Sequence, residues 1–206
     1  ATMFTMLLRK HFEGGTILEI TQYDLDRIVI FKISKTNEFG DKVTKNLILE
    51  LMGKNSNMII TDDNFIIIDS LRKNGISEDG RTILAKALYE FPVTKKENIF
   101  KLNDEKIKGI YEENVNDYKD IISLFSGFSP VIAKQIISSK APINELLSLK
   151  SKEITPCITT LNSKEEFLCY NYGEVTKTYT SLSMMLEDYF YKKTISNEVM
   201  EKSNNL

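Results

Sequence analysis

The sequence contains no tryptophan, and its single histidine is His11. One imidazole would have to serve every role, so histidine-based metal sites and catalytic triads are nearly excluded. No P-loop, no GxGxxG segment and no cysteine–histidine cluster occurs in the sequence. The residues therefore predict no metal, no cofactor and no catalytic group.

Cysteine is also scarce, with only Cys157 and Cys169 present. Two cysteines fit a reducing cytosol better than a small secreted domain built on disulfides, so we expect a cytoplasmic protein. No apolar run approaches the ~18–20 residues of a membrane span, and no signal-peptide pattern is present, so no membrane partner is expected. The formal net charge is −2. Without a global positive field, any contact with nucleic acid has to be local.

Alternating apolar residues and tight turns dominate the first hundred residues. After a helix over Met3–Phe12, the pattern predicts strands over residues 17–23, 27–34, 42–51, 57–61 and 65–69. The turns between them are too short for crossover helices, which indicates an antiparallel meander. The segment RTILAKALYEF that follows has helical spacing, although Gly75 and Gly80 favour a loop nearby.

The apolar period becomes helical from Asp104 onward, so we place a domain boundary near residues 98–103 and predict domains over 1–100 and 101–206. Asn116 is the expected cap of DYKDIISLFS, and Pro142 is expected to open a further helix. Residues 156–170 look extended, and Ser181 or Ser183 precedes a last helix. The fold class is therefore α+β.

The segment IISLFSGFSPVIAKQIISS, residues 121–139, has the pattern of two helices joined by a short turn. Gly127 can end the first helix, Ser129 can cap the second, and Pro130 suits its first position. A helix-hairpin-helix of this kind presents backbone N–H groups that bind phosphate, here at Gly127, Phe128 and Ser129. An ordinary packed helical hairpin explains the same pattern about equally well.

Asp26 and Arg27 stand where a tight turn enters the apolar strand RIVIFKIS. Strand alternation makes Arg27 the charged end of an apolar stripe, beside a carboxylate. From the residues alone, the favoured interpretation is structural: Asp26 closes the turn and pairs with Arg27 at the rim of the sheet.

A second polar group follows the strand that ends at Glu50. Gly53 permits a bulge or a left-handed turn, and four consecutive polar side chains come after it. They suit a phosphate or ribose edge, although a polar hairpin end is an equally good explanation. These residues are Lys54, Asn55, Ser56 and Asn57.

Several motifs, in order and spacing, resemble the NFACT family over nearly the whole chain. They are MFTMLLRKHFEGGTI, LDRIVIF, LILELMGKNSNMIITD, IIDSL, YEFP, GFSPVIAKQI and SLSMMLEDYFY. The resemblance implies an antiparallel β-rich domain similar to the N-terminal domain of formamidopyrimidine-DNA glycosylases, followed by a mostly helical helix-hairpin-helix domain leading towards a coiled coil. It also implies a fragment that lacks the family's first segment, the coiled coil and the C-terminal RNA-binding domain.

The same resemblance implies a function. Family members of the ribosome-quality-control type bind a large ribosomal subunit that carries an obstructed peptidyl-tRNA, and recruit alanyl-tRNA for alanine tailing without mRNA. The family's Asp-Arg pair needed for tRNA use falls on Asp26 and Arg27, which replaces the structural interpretation of that pair. The stretch from Glu50 to Asn57 matches the family's other signature and is the second expected tRNA contact.

Two other functions are open at this point. Bacterial members of the family carry an older label as fibronectin- or fibrinogen-binding proteins, which implies a matrix adhesin at the cell surface. The glycosylase-like fold suggests DNA-lesion processing, but a fold does not carry its chemistry with it, and the N-terminal nucleophile of those enzymes is not visible here.

Overall fold

The computed structural model describes the backbone of residues 2–73, 75 and 80–204, with side chains described up to residue 195. The chain forms two compact units, Ala1–Pro130 and Val131–Leu206. These units differ from the predicted domains 1–100 and 101–206. The separate folding of those domains stays a prediction.

The first unit begins with helix α1, Met3–Phe12, as the sequence predicts. The hydroxyl of Thr2 caps it by accepting a hydrogen bond from the backbone N–H of Thr5 at 3.2 Å. Arg9, Lys10 and His11 occupy its last turn, where cations favour the negative end of the helix dipole.

A five-stranded sheet follows, and its strands pair in chain order, each antiparallel to the next. The predicted meander is therefore confirmed, with strand bounds within about two residues of those expected. A 3-10 turn, Gly53–Asn55, separates the third and fourth strands. The strands are β1 (Thr16–Gln22), β2 (Ile28–Thr36), β3 (Lys42–Glu50), β4 (Asn57–Asp62) and β5 (Ile67–Ser70).

The core of this unit lies against one face of strands β2 to β5. Strand alternation turns Ile28, Ile48 and Ile59 to the same side, where they pack with Ile83 and Tyr89. β1, by contrast, is exposed along its whole length. The inner strands therefore supply the stability of the sheet, and β1 is its solvent-facing edge.

The helix suggested by RTILAKALYEF is not formed in residues 81–91. This segment runs as an irregular strap beside β5, with Ile67 N–H donating to Ala87 O and Lys86 N–H to Ile67 O, both at 2.8 Å. A helix would leave this edge of the sheet unpaired and withdraw Ile83 and Tyr89 from the core. Tertiary burial overrides the local helical spacing.

The first unit ends with helices α2 (Asp104–Asn114) and α3 (Tyr118–Leu124). Asp117, rather than the expected Asn116, caps α3, in a capping box with Asp120. Glu97, in the segment after the strap, pairs with the end of α3, because its N–H donates to Leu124 O at 2.8 Å and its carbonyl accepts from Ser126 N–H at 2.9 Å.

The second unit is not the mostly helical domain that the sequence predicts. Helices α4 (Pro130–Ile137) and α5 (Pro142–Ser148) precede a three-stranded antiparallel sheet, and α6 (Leu182–Asn204) follows it. Ser181 caps α6, as expected, by accepting from Met184 N–H at 3.2 Å. The sheet contains β6 (Cys157–Leu161), β7 (Lys164–Leu168) and β8 (Glu174–Thr178).

The predicted helix-hairpin-helix domain is not formed in the described part of the chain, where a three-stranded sheet and α6 follow α5. The sequence pattern did not predict β8. Its partner strand, β6, carries the buried Thr159. The hydroxyl of Thr159 donates to Glu174 O at 2.8 Å, which makes the sheet pairing satisfy a buried polar group.

Ile48 and Ile20 give a matched test of where the sheet derives its stability. Ile48 is fully buried and Ile20 is 57% exposed. Ile48→Ala is expected to lower the free energy of unfolding by about 2–4 kcal/mol, because it leaves a cavity in the core. Ile20→Ala should change it by about 0.5 kcal/mol or less. Equal effects in urea unfolding would contradict this description of the core.

Candidate functional site

An open cavity of about 710 Å³ lies in the first unit beside the β1–β2 turn. Three chain segments form it: the turn itself, the end of the strap, and the loop after α3. Asp26, Arg27, Gly127, Phe128 and Ser129, predicted from two separate motifs, all line this one cavity. The other lining residues are Tyr23, Asp24, Leu25, Phe91, Pro92, Val93, Thr94, Lys96 and Ser126.

The β1–β2 turn is fixed by its own backbone. Tyr23 N–H donates to Ile28 O at 2.9 Å, and Asp26 N–H donates to Tyr23 O at 3.0 Å. Asp24 takes a positive φ of 50°, which aspartate tolerates better than most residues. The half-buried Asp26 then closes the turn, because its Oδ1 accepts from Arg27 N–H at 2.7 Å.

Arg27 does not pair with Asp26 through its side chain. Its guanidinium is exposed, and within the described residues its one polar contact is with the sulfur of Met52, 3.8 Å from Nη2. Its backbone is held firmly, since Leu51 N–H donates to Arg27 O at 2.8 Å. The side-chain ion pair that the residues alone favoured is therefore not formed, and the guanidinium keeps its donors for another group.

A stack of aromatic rings forms one wall of the cavity. Tyr23 and Phe91 lie face to face, with centroids 3.9 Å apart and planes at 11°. Tyr89 packs edge-on against Phe91 at 5.1 Å. The sequence analysis did not assign Tyr23 and Phe91 to the site. Phe91 belongs to the YEFP motif, and that motif was the available signal. The sequence does not show that this motif packs against the β1–β2 turn.

The loop after α3 reaches the cavity through Gly127. This residue has φ of +84°, and a Cβ built on it would lie 3.1 Å from Leu25 Cδ1. The left-handed backbone and the close approach to the β1–β2 turn both require glycine here. Phe128 packs edge-on against the buried Phe125, with ring centroids 6.4 Å apart, and this contact holds the loop against α3.

Gly127→Ala should therefore destabilise the chain by about 1–2 kcal/mol, since the new methyl meets Leu25 and the backbone is strained. Gly109 is the matched control, because it lies in α2 with open space around its Cα. Gly109→Ala should stabilise the chain by about 0.5–1 kcal/mol. Thermal unfolding that gives both changes the same sign would refute this role for Gly127.

Glu50, the first residue of the second predicted motif, is buried at the end of β3. Its Oε1 accepts from Arg81 Nη1 at 2.7 Å and from the Tyr89 hydroxyl at 2.8 Å, and its Oε2 lies 3.4 Å from Arg81 Nη2. Burial, followed by the Glu50 charge, raises the pKa of Tyr89. In this arrangement the carboxylate is not available to a polynucleotide in solvent.

Asn57 is likewise committed to the fold. Its Nδ2 donates to Arg72 O and its Oδ1 accepts from Arg72 N–H, both at 2.9 Å. Lys54 and Asn55 are exposed and Ser56 is half-buried, but these three lie outside the cavity lining. Direct contact is therefore open to Lys54, Asn55 and Ser56, whereas the direct contacts predicted for Glu50 and Asn57 are not supported by this geometry.

Breaking the buried pair of Glu50 and Arg81 should be costly. Arg81→Leu is expected to lower the free energy of unfolding by about 3 kcal/mol or more, because it leaves a buried carboxylate without its cation. The double change Glu50→Leu with Arg81→Leu should recover much of that loss, since no charge then stays buried. Strictly additive losses in chemical unfolding would show that the pair is not coupled.

The described residues contain no group of three or more histidine, cysteine, aspartate or glutamate side chains that could hold a metal ion. A search of the described helices for one long and apolar enough to cross a membrane finds none.

Comparison with known proteins places this chain in a family. A sequence model of the NFACT N-terminal and middle domains matches residues 1–206. The chain belongs to the NFACT family. It is 35% identical over 223 aligned positions to the Rqc2 homolog RqcH of Bacillus subtilis (strain 168), and 30% identical over 208 to that of Streptococcus pneumoniae D39. The family resemblance expected from the motifs is thus confirmed.

These alignments cover 99% and 98% of this chain but 39% and 37% of the two relatives. The chain therefore spans about two fifths of the relatives' length. Both relatives are named as homologues of Rqc2.

Solved structures share the fold. The N-terminal part of the fibronectin/fibrinogen-binding protein from Streptococcus suis superposes with a TM-score of 0.75 at 29% identity, over 93% of this chain and 73% of that one. The fibrinogen-binding protein from Staphylococcus aureus gives 0.74 at 30% identity, over 92% and 75%. The α+β fold with an antiparallel sheet is that of these N-terminal domains.

Proposed function

We propose that this chain is the tRNA-holding part of a ribosome quality control factor. In this proposal the whole protein binds an obstructed large ribosomal subunit carrying peptidyl-tRNA and recruits alanyl-tRNA, and alanine residues are added to the stalled chain without mRNA. The chain itself positions RNA in the cytoplasm and catalyses nothing, because the ribosome forms the peptide bond.

The exposed guanidinium of Arg27 is the observation that carries the proposal. It stands at the rim of a cavity wide enough for a nucleotide, and no carboxylate among the described residues neutralises it. Apart from the N–H directed at the Met52 sulfur, the guanidinium has four N–H donors for phosphate, ribose hydroxyls or a base edge. NFACT membership makes tRNA the RNA that we propose.

Asp26 supports Arg27 through the backbone. Its Oδ1 holds the Arg27 N–H, and the carboxylate can accept a further hydrogen bond from a ribose hydroxyl or a base amino group. Gly127, Phe128 and Ser129 face the same cavity from the other side and are the proposed backbone contacts to phosphate. Exposed Lys54 and Asn55, with Ser56, extend the proposed surface beyond the Arg27–Met52 contact.

In this proposal Glu50 and Asn57 act from behind the surface. Glu50 anchors Tyr89, which packs against Phe91 in the aromatic wall. Asn57 fixes the backbone of Arg72, and the guanidinium of Arg72 in turn donates to the carbonyl of Lys54. These residues would set the shape of the site without touching RNA.

A second candidate function is adhesion to fibronectin or fibrinogen at the cell surface. Its support is the naming of the two solved relatives, which share this fold. The Arg27 site distinguishes the two functions, because an adhesin that binds a matrix protein does not need a phosphate-binding cavity.

The double change Asp26→Ala with Arg27→Ala tests the proposal. It should weaken binding of alanine tRNA to this chain by roughly tenfold to a hundredfold, the loss expected for one or two charge-assisted hydrogen bonds. In the whole protein it should abolish alanine tailing and leave binding to the large subunit largely intact. Filter binding and a reconstituted tailing reaction measure the two effects.

Lys108→Ala is the matched control, since Lys108 is an exposed cation on α2 outside the cavity. Arg27→Lys should bind tRNA more weakly than the parent because an ammonium cannot make the planar two-pronged contact. Tailing that survives the double change would reject the proposal. Saturable binding to immobilised fibronectin, lost with Arg27→Ala while tRNA binding persists, would favour the adhesin instead.

A further inference from the structure

A second cavity, of about 310 Å³, lies in the first unit between the C-terminal end of α1 and the β2–β3 hairpin. It shares no lining residue with the cavity at Arg27. Its lining contains three lysines and the chain's one histidine, against a single carboxylate, Glu38. The full lining is Lys10, His11, Lys35, Thr36, Asn37, Glu38, Phe39, Val43 and Lys45.

Two of these cations are held in place by the fold. Lys35 Nζ donates to Lys10 O at 2.9 Å and lies 3.5 Å from Arg9 O, so it caps the negative end of α1. Lys45 Nζ lies 2.7 Å from His11 Nδ1. An ammonium has no lone pair, so His11 must be the acceptor and carry its own proton on Nε2.

The positive charges crowd one another. Burial lowers the pKa of His11, and so do Lys45, Lys10 and Lys35 in turn. Burial likewise lowers the pKa of Lys45, with Lys10 and Lys35 adding to the effect. An anion placed among these groups would relieve their repulsion, and it would stabilise the protonated form of His11.

An open aromatic ring stands beside the cations. Phe39, at the tip of the β2–β3 hairpin, is 89% exposed. The tip is ordered, because Asn37 Oδ1 accepts from both Phe39 N–H and Asp41 N–H at 2.9 Å. A phenyl ring next to a cationic cavity matches the combination with which proteins hold single strands, where a base stacks while the backbone phosphate is neutralised.

We infer that this cavity is a second nucleic-acid site, in which Lys10, Lys45 and His11 bind a phosphate of single-stranded RNA while Phe39 stacks on an adjacent base. The aromatic ring favours RNA over a free phosphate ion, which has no base to offer it. Lys35 is committed to α1 and contributes its charge rather than a hydrogen bond. The site does not depend on the Asp26–Arg27 proposal.

The single histidine makes the test direct, because His11 gives the one imidazole signal in the NMR spectrum of this chain. Oligouridylate should shift that signal saturably and raise the pKa of His11. Inorganic phosphate should do so only at much higher concentration. Phe39→Ala should weaken the RNA response and leave the phosphate response unchanged.

Lys10→Glu should abolish the response of His11 to oligouridylate, while Lys108→Glu, the matched control on α2, should retain it. Lys10 is exposed, so its replacement should leave the fold intact, which an unchanged thermal unfolding midpoint verifies. Lys10→Ala combined with Lys45→Gln should lower the salt-dependence slope of RNA binding by about 0.7, the value for one phosphate contact on a single strand.

The Arg27→Ala chain should show the same His11 response as the parent, so failure at either site can be recognised separately. A His11 signal that ignores oligouridylate, or responds to it unchanged in Lys10→Glu, would overturn the inference. Equal affinity for inorganic phosphate and for RNA would also overturn it, by showing a site for the free ion alone.

Discussion

The candidate site depends on the ion pair and the hydrogen bond that the buried carboxylate of Glu50 makes with Arg81 and Tyr89. Glu50 joins three parts of the first unit, because it ends β3, holds the guanidinium of Arg81 and accepts from the hydroxyl of Tyr89. Tyr89 positions Phe91, and Phe91 stacks on Tyr23 at the start of the β1–β2 turn. The orientation of the turn that carries Asp26 and Arg27 therefore rests on a charge that solvent does not reach.

Under the proposed function, this arrangement lets a chain with no net positive charge bind RNA at one place. A buried ion pair contributes little net stability compared with apolar packing, but it fixes one geometry, since either partner alone is strongly unfavourable. Arg27 thereby stands beside an aromatic wall and a glycine turn, with the Met52 sulfur as the one polar partner of its guanidinium among the described residues. With a formal net charge of −2, the chain has no global positive field, so the proposed binding is local.

The regular parts of the fold were predictable from local pattern. The α1 helix and the five strands follow from apolar alternation and from cap and turn residues. The predicted strand bounds therefore lie within about two residues of the observed ones. The strap over residues 81–91 was not predictable in this way. Its residues have helical spacing, but hydrogen bonds to the edge of β5 hold it in an irregular path. The β8 strand was not predicted because four of its five residues are exposed and only Val175 is half-buried, so it gives little alternation, and its stability comes from pairing with β6.

For the candidate site, the sequence pointed to residues that line one cavity, but it did not distinguish exposed residues from buried ones. Asp26–Arg27 and Gly127–Ser129 were found in separate motifs, and their meeting in one cavity depends on the contact between Leu25 and Gly127. Glu50 and Asn57 looked like surface ligands because they are polar and follow one another closely, whereas their side chains face inward. Alternation along β3 could have shown this for Glu50, which shares a face with the buried Ile48.

We propose that RNA enters the cavity beside Arg27. Val93 lines that cavity and is 89% exposed, so a photo-crosslinking amino acid can replace it without disturbing the core. In the whole protein inside cells, we expect position 93 to crosslink to tRNA, with alanine tRNA enriched, and the same group at position 108 not to crosslink to it. Crosslinks from position 93 to protein alone would contradict it.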